Sequence, residues 1–240
     1  MSGEPDDHRD AFGPVTWQPL SRIMQVGGAR LADAWSRIPH VTHFENADVT
    51  QLEAERGRWD GAGPRPSMLA WIARASALAL RAHPRFCATL DEAGRRIALK
   101  RYLNLGIAVD SPAGLLVGVI RDANELDVAQ LGTAIRDLAE RGRAGKLKPS
   151  EMEGGCFTIS SLGNLGGTGF TPIINSPEVA ILGVCPARWQ PMVVGDVIEK
   201  RLTLPLSLSY DHRVLNGADA ARFSTTLVEL LADSTRLLQG

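Results

Sequence analysis

Helical and strand periodicities alternate along the chain. Leu20, Ile23, Met24, Gly27, Leu31 and Trp35 recur at helical spacing, and Pro39 stops that helix shortly after its end. His40 to Val49 alternates as a strand does, and Thr50 is placed to cap a helix beginning at Gln51. Gly61 to Pro66 breaks the pattern. Ser67 then caps Met68 to Ala82, a helix apolar on nearly all sides and so expected at the centre of a core, and His83-Pro84 ends it.

Asp91 to Arg95 reads as a turn with a strand starting at Ile97, and Leu103 to Val109 and Leu115 to Ile120 read as paired strands joined by Asp110 to Gly114. Leu126 to Arg143 is an amphipathic helix, ended by Gly145 to Pro149. Cys156 to Ser161 is a strand that runs into the glycine-rich stretch Leu162 to Gly169. A phosphate-cradling loop needs a helix start immediately after it, and Phe170 to Pro177 offers none, so a dinucleotide or P-loop reading is rejected. Val179 to Val184 is a buried strand, Pro186 to Asp196 a turn region, and Val197 to Tyr210 a hairpin strand; Ala218 to Leu238 closes the chain as an amphipathic helix. The polar, proline-containing residues 1–16 are expected to be a loosely held tail, leaving residues 17–240 as one α/β domain.

Composition narrows the function classes. A formal net charge of −1 gives no electrostatic case for nucleic acid or an anionic membrane. No apolar run approaches the roughly 20 residues of a membrane span, and residues 1–15 lack a signal peptide's features, so the chain is expected to be cytoplasmic. Three cysteines without C-x-x-C spacing argue against both a disulfide framework and a zinc site. His40 and His43 fall on opposite faces of a strand, a poor arrangement for sharing a metal, and no metal is expected.

The stretch richest in chemistry is Ser207 to Phe223, SLSYDHRVLNGADAARF. A strand delivers Asp211-His212-Arg213 to its end, and Asn216-Gly217, a pair tolerant of positive φ, closes the loop before a helix starts at Ala218. An imidazole held there is well placed to take a proton; a histidine merely satisfied by a turn is the plain alternative.

H-x-x-x-[DN]-G in this setting resembles the active-site signature of the dihydrolipoamide acyltransferases, the E2 components of 2-oxoacid dehydrogenase complexes. The similarity extends through Pro19 to Ile23, Ile38 to Thr42, Gly106 to Val119 and Cys156 to Val184, and lies nearest the acetyl-transferring, pyruvate-type branch. The resemblance implies a two-layer mixed sheet with flanking helices, like chloramphenicol acetyltransferase, forming a homotrimer, with a larger cage as the family's further assembly. It implies coenzyme A or acetyl-CoA as substrate and a lipoyl group supplied in trans by a lipoyl-bearing protein, with E1 and E3 components as further partners. No lipoyl domain or peripheral subunit-binding domain is recognisable in the sequence.

Acyl transfer between two thiols needs a thiolate and a stabilised oxyanion. A free thiol with a pKa of about 8.5 is mostly protonated at neutral pH, so a neutral histidine must act as general base. The resemblance assigns that role to His212, oxyanion donation to Ser160, and orientation of the loop beneath the histidine to Asn216. Ser161 is the rival of Ser160, because strand alternation sends the two hydroxyls to opposite faces. Arg213 is expected to pair with Asp211 or Asp219, and a Cys nucleophile is a weaker reading. The family places the histidine and the serine on neighbouring subunits, which implies an inactive monomer. The alternatives are a catalytically silent scaffold and a free-standing acyltransferase acting on a small molecule. Related chains usually carry proline where this one has Gly118, leaving the conformation of that edge open.

Overall fold

A computed structural model of the chain describes residues 6–61 and 63–238. Its centre is a seven-stranded mixed sheet in the order β10-β11-β9-β8-β6-β7, with β3 on the other edge of β11. The strands are β3 (His40–Asp48), β6 (Leu105–Ser111), β7 (Gly114–Ile120), β8 (Phe157–Ser161), β9 (Ala180–Val184), β10 (Arg188–Val194) and β11 (Val197–Asp211). β6 and β9 run parallel to β8, and the other pairings are antiparallel.

Helices α3 (Met68–Ala82), α4 (Val128–Arg143) and α5 (Gly217–Ala232) carry the main core between them and the sheet. Ser67 caps α3 by accepting the Ala70 amide, and the helix buries ten residues including Trp71, as its all-round apolarity predicts. Asp127 and Gln130 form a capping box on α4. Strand residues at alternate positions complete the core: Phe157 and Ile159, Leu182 and Val184, and Leu204, Leu206, Leu208 and Tyr210.

The other side of the sheet is covered only in part. Ala34 and Ile38, at the end of α1 (Arg22–Arg37), pack with Ile174 and Ile181 in a small separate cluster. The rest of the α1 stripe, Met24, Leu31 and Trp35, stays exposed, as do Leu20 before it and Phe44 on β3.

Several expectations need correction. Within residues 1–16, expected to be a loosely held tail, β1 (Asp6–Arg9) pairs with β2 (Pro14–Trp17) as an exposed hairpin, while residues 1–5 lie outside the described residues. Thr50 sits inside α2 (Thr50–Gly57), after Val49 at the cap. Its hydroxyl donates to Asp48 and accepts the Leu202 amide, tying the helix to β11. Residues 186–196 are not a turn region, since β10 pairs with β11 over Arg188 to Val194 and only Gly195-Asp196 turns. Its exposed valines face solvent in the single chain, so half-burial, the usual mark of a strand, is missing there. The strand expected from Ile97 to Tyr102 spans only Ile97–Leu99 (β5), paired with β4 (Ala88–Leu90). At Gly118 on β7, a Cβ would come within 2.5 Å of Leu138 Cδ2 on α4, so the leucine fills the space that a side chain there would take.

The chain closes with α6 (Ser234–Leu238), which buries Leu237 in its own core and leaves Leu238 half exposed. Among the described residues no helix is long and apolar enough to cross a membrane.

Candidate active site

The loop after β11 is held by its backbone on both sides. Asp211 N–H donates to Val179 O at 2.8 Å, and His212 N–H donates to Pro39 O at 3.1 Å. Asp211 is buried, and its carboxylate accepts from the Arg213 amide and takes the Arg213 guanidinium at 2.6 Å, which raises the arginine's pKa. Arg213 therefore pairs with Asp211, as expected, while Asp219 pairs with Arg222. The amides of Val214 and Leu215 both donate to Asp211 O, winding the loop into a compact turn.

Asn216-Gly217 does not form the positive-φ turn expected of it. Asn216 has φ −114° and is the N-cap of α5, which begins at Gly217. Its Oδ1 accepts the Asp219 amide at 3.0 Å and the Asp219 carboxylate accepts the Asn216 amide at 3.1 Å, a complete capping box. The Asn216 amide donor holds Asp219 below its ordinary pKa. Asn216 thus fixes where the loop ends and the helix starts. The His212 imidazole, exposed in the single chain, lies 5.9 Å from the Tyr210 ring centroid and makes no hydrogen bond among the described residues.

Register places the serines. Ser160 pairs with Gly183, Gly183 with Ser207, and Ser207 with Phe44, so these four share one face of the sheet. That face is the incompletely covered one. The Phe170 ring lies over Gly183, where a Cβ would meet it at 2.7 Å, and the Phe170 amide donates to Ser207 Oγ at 3.4 Å. Half-buried Ser160 makes no side-chain hydrogen bond among the described residues. Ser161 points the other way, into a cleft lined by Met68, Ile72, Ile107 and Leu204, and its hydroxyl accepts the Gly163 amide at 3.2 Å. A second opening, of about 540 Å³, lies on the Ser160 side between Phe44, Asn46, Thr168 and Phe170.

The two ends of this site do not meet within one chain. Ser207, in the Ser160 row, and His212 are separated by roughly 15 Å of extended strand, and β9 lies between β8 and β11. Proton transfer and oxyanion donation both require about 3 Å.

Other candidates are quieter. Cys156 is fully buried, with its thiol donating to Tyr102 O, so it is a core residue. His83 caps the end of α3 with Nε2 at 2.9 Å from Thr226 Oγ1, and burial lowers its pKa. His40 accepts the Ile174 amide at Nε2 and faces Ile38 O through Nδ1, and no group of three metal-ligating side chains occurs among the described residues. Gly163, Gly166 and Gly167 take positive φ, and the next element after them is β9, so the loop does not lead into the helix start of a dinucleotide or P-loop site. Phe170, Gly183 and Ser207 were not marked by the sequence as part of this surface. The pairing of β8 with β9 and of β9 with β11 brings Gly183 and Ser207 into the Ser160 row, and Phe170 lies over Gly183.

Residues 13–239 match the family described as 2-oxoacid dehydrogenases acyltransferase (catalytic domain). The chain is 50% identical, over 95% of its length and 41% of the relative's, to the dihydrolipoyllysine-residue acetyltransferase component of the pyruvate dehydrogenase complex of Cupriavidus necator. It spans about two fifths of the length of such curated relatives. Among solved structures it resembles Azotobacter vinelandii dihydrolipoamide acetyltransferase, studied for the role of a serine, a histidine and an asparagine in its catalytic mechanism, with a TM-score of 0.92, 47% identity and 95% of each chain covered. The cubic core of a pyruvate dehydrogenase multienzyme complex matches with the same three values. Chloramphenicol acetyltransferase shares the fold, with a TM-score of 0.55 at 12% identity, covering 85% of this chain and 94% of that one.

Proposed function

Because the chain belongs to the 2-oxoacid dehydrogenase acyltransferase family, as a catalytic domain, we propose that it moves an acetyl group between the sulfurs of dihydrolipoamide and coenzyme A. His212 takes the proton from the coenzyme A thiol. The thiolate then attacks the carbonyl carbon of S-acetyldihydrolipoamide, forming a new C–S bond and an oxyanion that accepts a hydrogen bond from Ser160 Oγ. Collapse of the intermediate breaks the old C–S bond, and the imidazolium returns its proton to the departing sulfur. A thiol and a thioester become a thiol and a thioester, with no change of oxidation state.

The observation that carries this reading is the pair of uncommitted groups, the Ser160 hydroxyl on the open face and the His212 imidazole at a braced strand end. Asn216 supports the second by fixing the end of its loop. The same three residue types, at the same spacing, were the subject of the Azotobacter vinelandii study.

Ser160 and His212 lie too far apart within one chain, so the site is completed across the boundary between two copies. The exposed apolar side chains of α1 and β3 lie on the surface such a copy would cover. The assembly is a homotrimer, and the likeness to a cubic core supports further association of trimers. The lipoyl arm comes from outside this domain, within a pyruvate dehydrogenase-type complex that includes E1 and E3 components.

The test is complementation. His212→Ala and Ser160→Ala chains, each inactive alone in transfer from acetyl-CoA to free dihydrolipoamide, regain turnover when co-expressed and purified as mixed oligomers. Mixed oligomers with no activity beside an active wild type would place both groups in one subunit. An inert wild type of the correct mass would mark a scaffold.

A further inference from the structure

The segment joining α3 to β4 grips both the His212 loop and the helix that follows it. His83 Nε2 lies 2.9 Å from Thr226 Oγ1, and the Phe86 ring stacks on Phe223 with centroids 4.4 Å apart, so two residues of this segment are anchored on α5. Between them stands Arg85, on the 3₁₀ turn Pro84–Cys87, whose Nη2 donates to Val214 O at 2.7 Å. Val214 and its neighbour Leu215 are buried, so their carbonyls have limited access to water. The Asp211 carbonyl serves the turn's internal bonds, and the Asn216 side chain serves the helix cap. Arg85 supplies the long-range side-chain bond to this stretch, from a residue far away in the chain.

The anchors differ in one useful respect. Phe86 is core, and its loss would disturb folding, whereas Arg85 is exposed at the surface. Its guanidinium also acts electrostatically on Asp219, the carboxylate that closes the capping box with Asn216. A single side chain therefore bears on the last turn of the loop and on the first turn of α5.

We infer that Arg85 is a positioning residue for acetyl transfer: by holding the Val214 carbonyl it fixes the 211–216 turn, and with it the direction of the His212 imidazole. The inference rests on the proposed role of His212. Arg85 touches neither substrate in this account and acts only through the loop.

Arg85→Met keeps the aliphatic stem and removes every donor. A hydrogen bond from a charged donor carries enough free energy for its loss to raise opening of the turn by about tenfold or more. Deuterium uptake followed by mass spectrometry is expected to rise over residues 211–216 in Arg85→Met while staying unchanged over α5 beyond its first turn, with the same oligomer mass. In the transfer assay kcat falls about tenfold while KM for coenzyme A stays within about twofold, because alignment of the base matters in the transition state and not in binding. Millimolar guanidinium restores part of the lost turnover, and Arg85→Lys retains most of it.

Uptake over 211–216 identical to wild type would overturn the inference whether or not the chain transfers acetyl groups. So would a uniform rise across α5, or a loss of turnover that guanidinium does not relieve, either of which would mean a general loss of structure. A wild type that transfers no acetyl group would instead count against the proposed reaction, leaving the exchange result to decide the mechanical role of Arg85.

Discussion

Ser160 and Ser161 are adjacent in the chain and live in different environments. Ser161 faces the helices and lines the cleft between Met68, Ile72, Ile107 and Leu204, with its hydroxyl bound to the Gly163 amide. Ser160 faces away from them, half-buried, in a row whose Gly183 and Ser207 are buried and whose Phe44 stays exposed. The helical face holds the main apolar core and supplies most of the burial that stabilises the fold. The open face leaves the Ser160 hydroxyl without a partner among the described residues and the Phe44 ring exposed, and it is the face on which the proposed reaction depends.

The strongest attempt to break this contrast is His212→Ala. Turnover in acetyl transfer is expected to fall by about two to four orders of magnitude with oligomer mass unchanged, and near-normal turnover would remove the general base from the argument. The serine pair sharpens the contrast directly. Ser160→Ala costs about two to three orders of magnitude in kcat, the usual loss of an oxyanion donor, whereas Ser161→Ala leaves kcat within a few-fold. Equal losses at the two positions would erase the distinction between the faces.

Glu178, at the head of β9, probes the packed interior by pH. Burial raises its carboxyl from an ordinary 4.5 to about 7, so it stays protonated in the fold after the unfolded chain has ionised. The folded state then binds more protons between these values, and stability falls as pH rises from about 4.5 to about 7, then levels off. Glu178→Gln abolishes this slope. Relative to wild type it gains about 3 kcal/mol between pH 4 and pH 8, measured by urea unfolding. A wild-type curve equally steep in the variant would assign the slope to other groups.

The smallest effects come from two glycines. Gly118→Ala drives a methyl into buried Leu138 and is expected to cost about 1 to 3 kcal/mol, partly recovered by Leu138→Ala. Gly183→Ala meets the half-buried Phe170 ring, which has room to swing outward, so stability changes by less than about 1 kcal/mol while turnover falls. The reverse ranking of the two stabilities would show that the open face is packed as tightly as the helical one.

Much of this was legible before any coordinates, because it depends on neighbours in the chain. The apolar run after Ser67 specifies a buried helix, the alternation from Leu202 to Tyr210 specifies a strand, and the histidine signature names its own loop. Failures occurred where a local pattern was overruled or absent. Asn216-Gly217 has turn chemistry, but the same asparagine is a strong helix cap, and the reciprocal bond with Asp219 decides between them. Thr50 lost its capping role to bonds with Asp48 and Leu202, the latter distant in sequence. β10 is exposed along its length, so it carries none of the alternation that betrays a half-buried strand.

By itself, the sequence determined which residues are candidates for chemistry and the kind of element around most of them, since periodicity, caps and motifs are properties of short stretches. Only the tertiary structure decided which serine hydroxyl stays uncommitted, which ring lies over Gly183, and that His212 and Ser160 stand at separate ends of the sheet. The physical reason is that register and face are set by pairing between strands far apart in the chain, where the choice depends on what the rest of the core can bury.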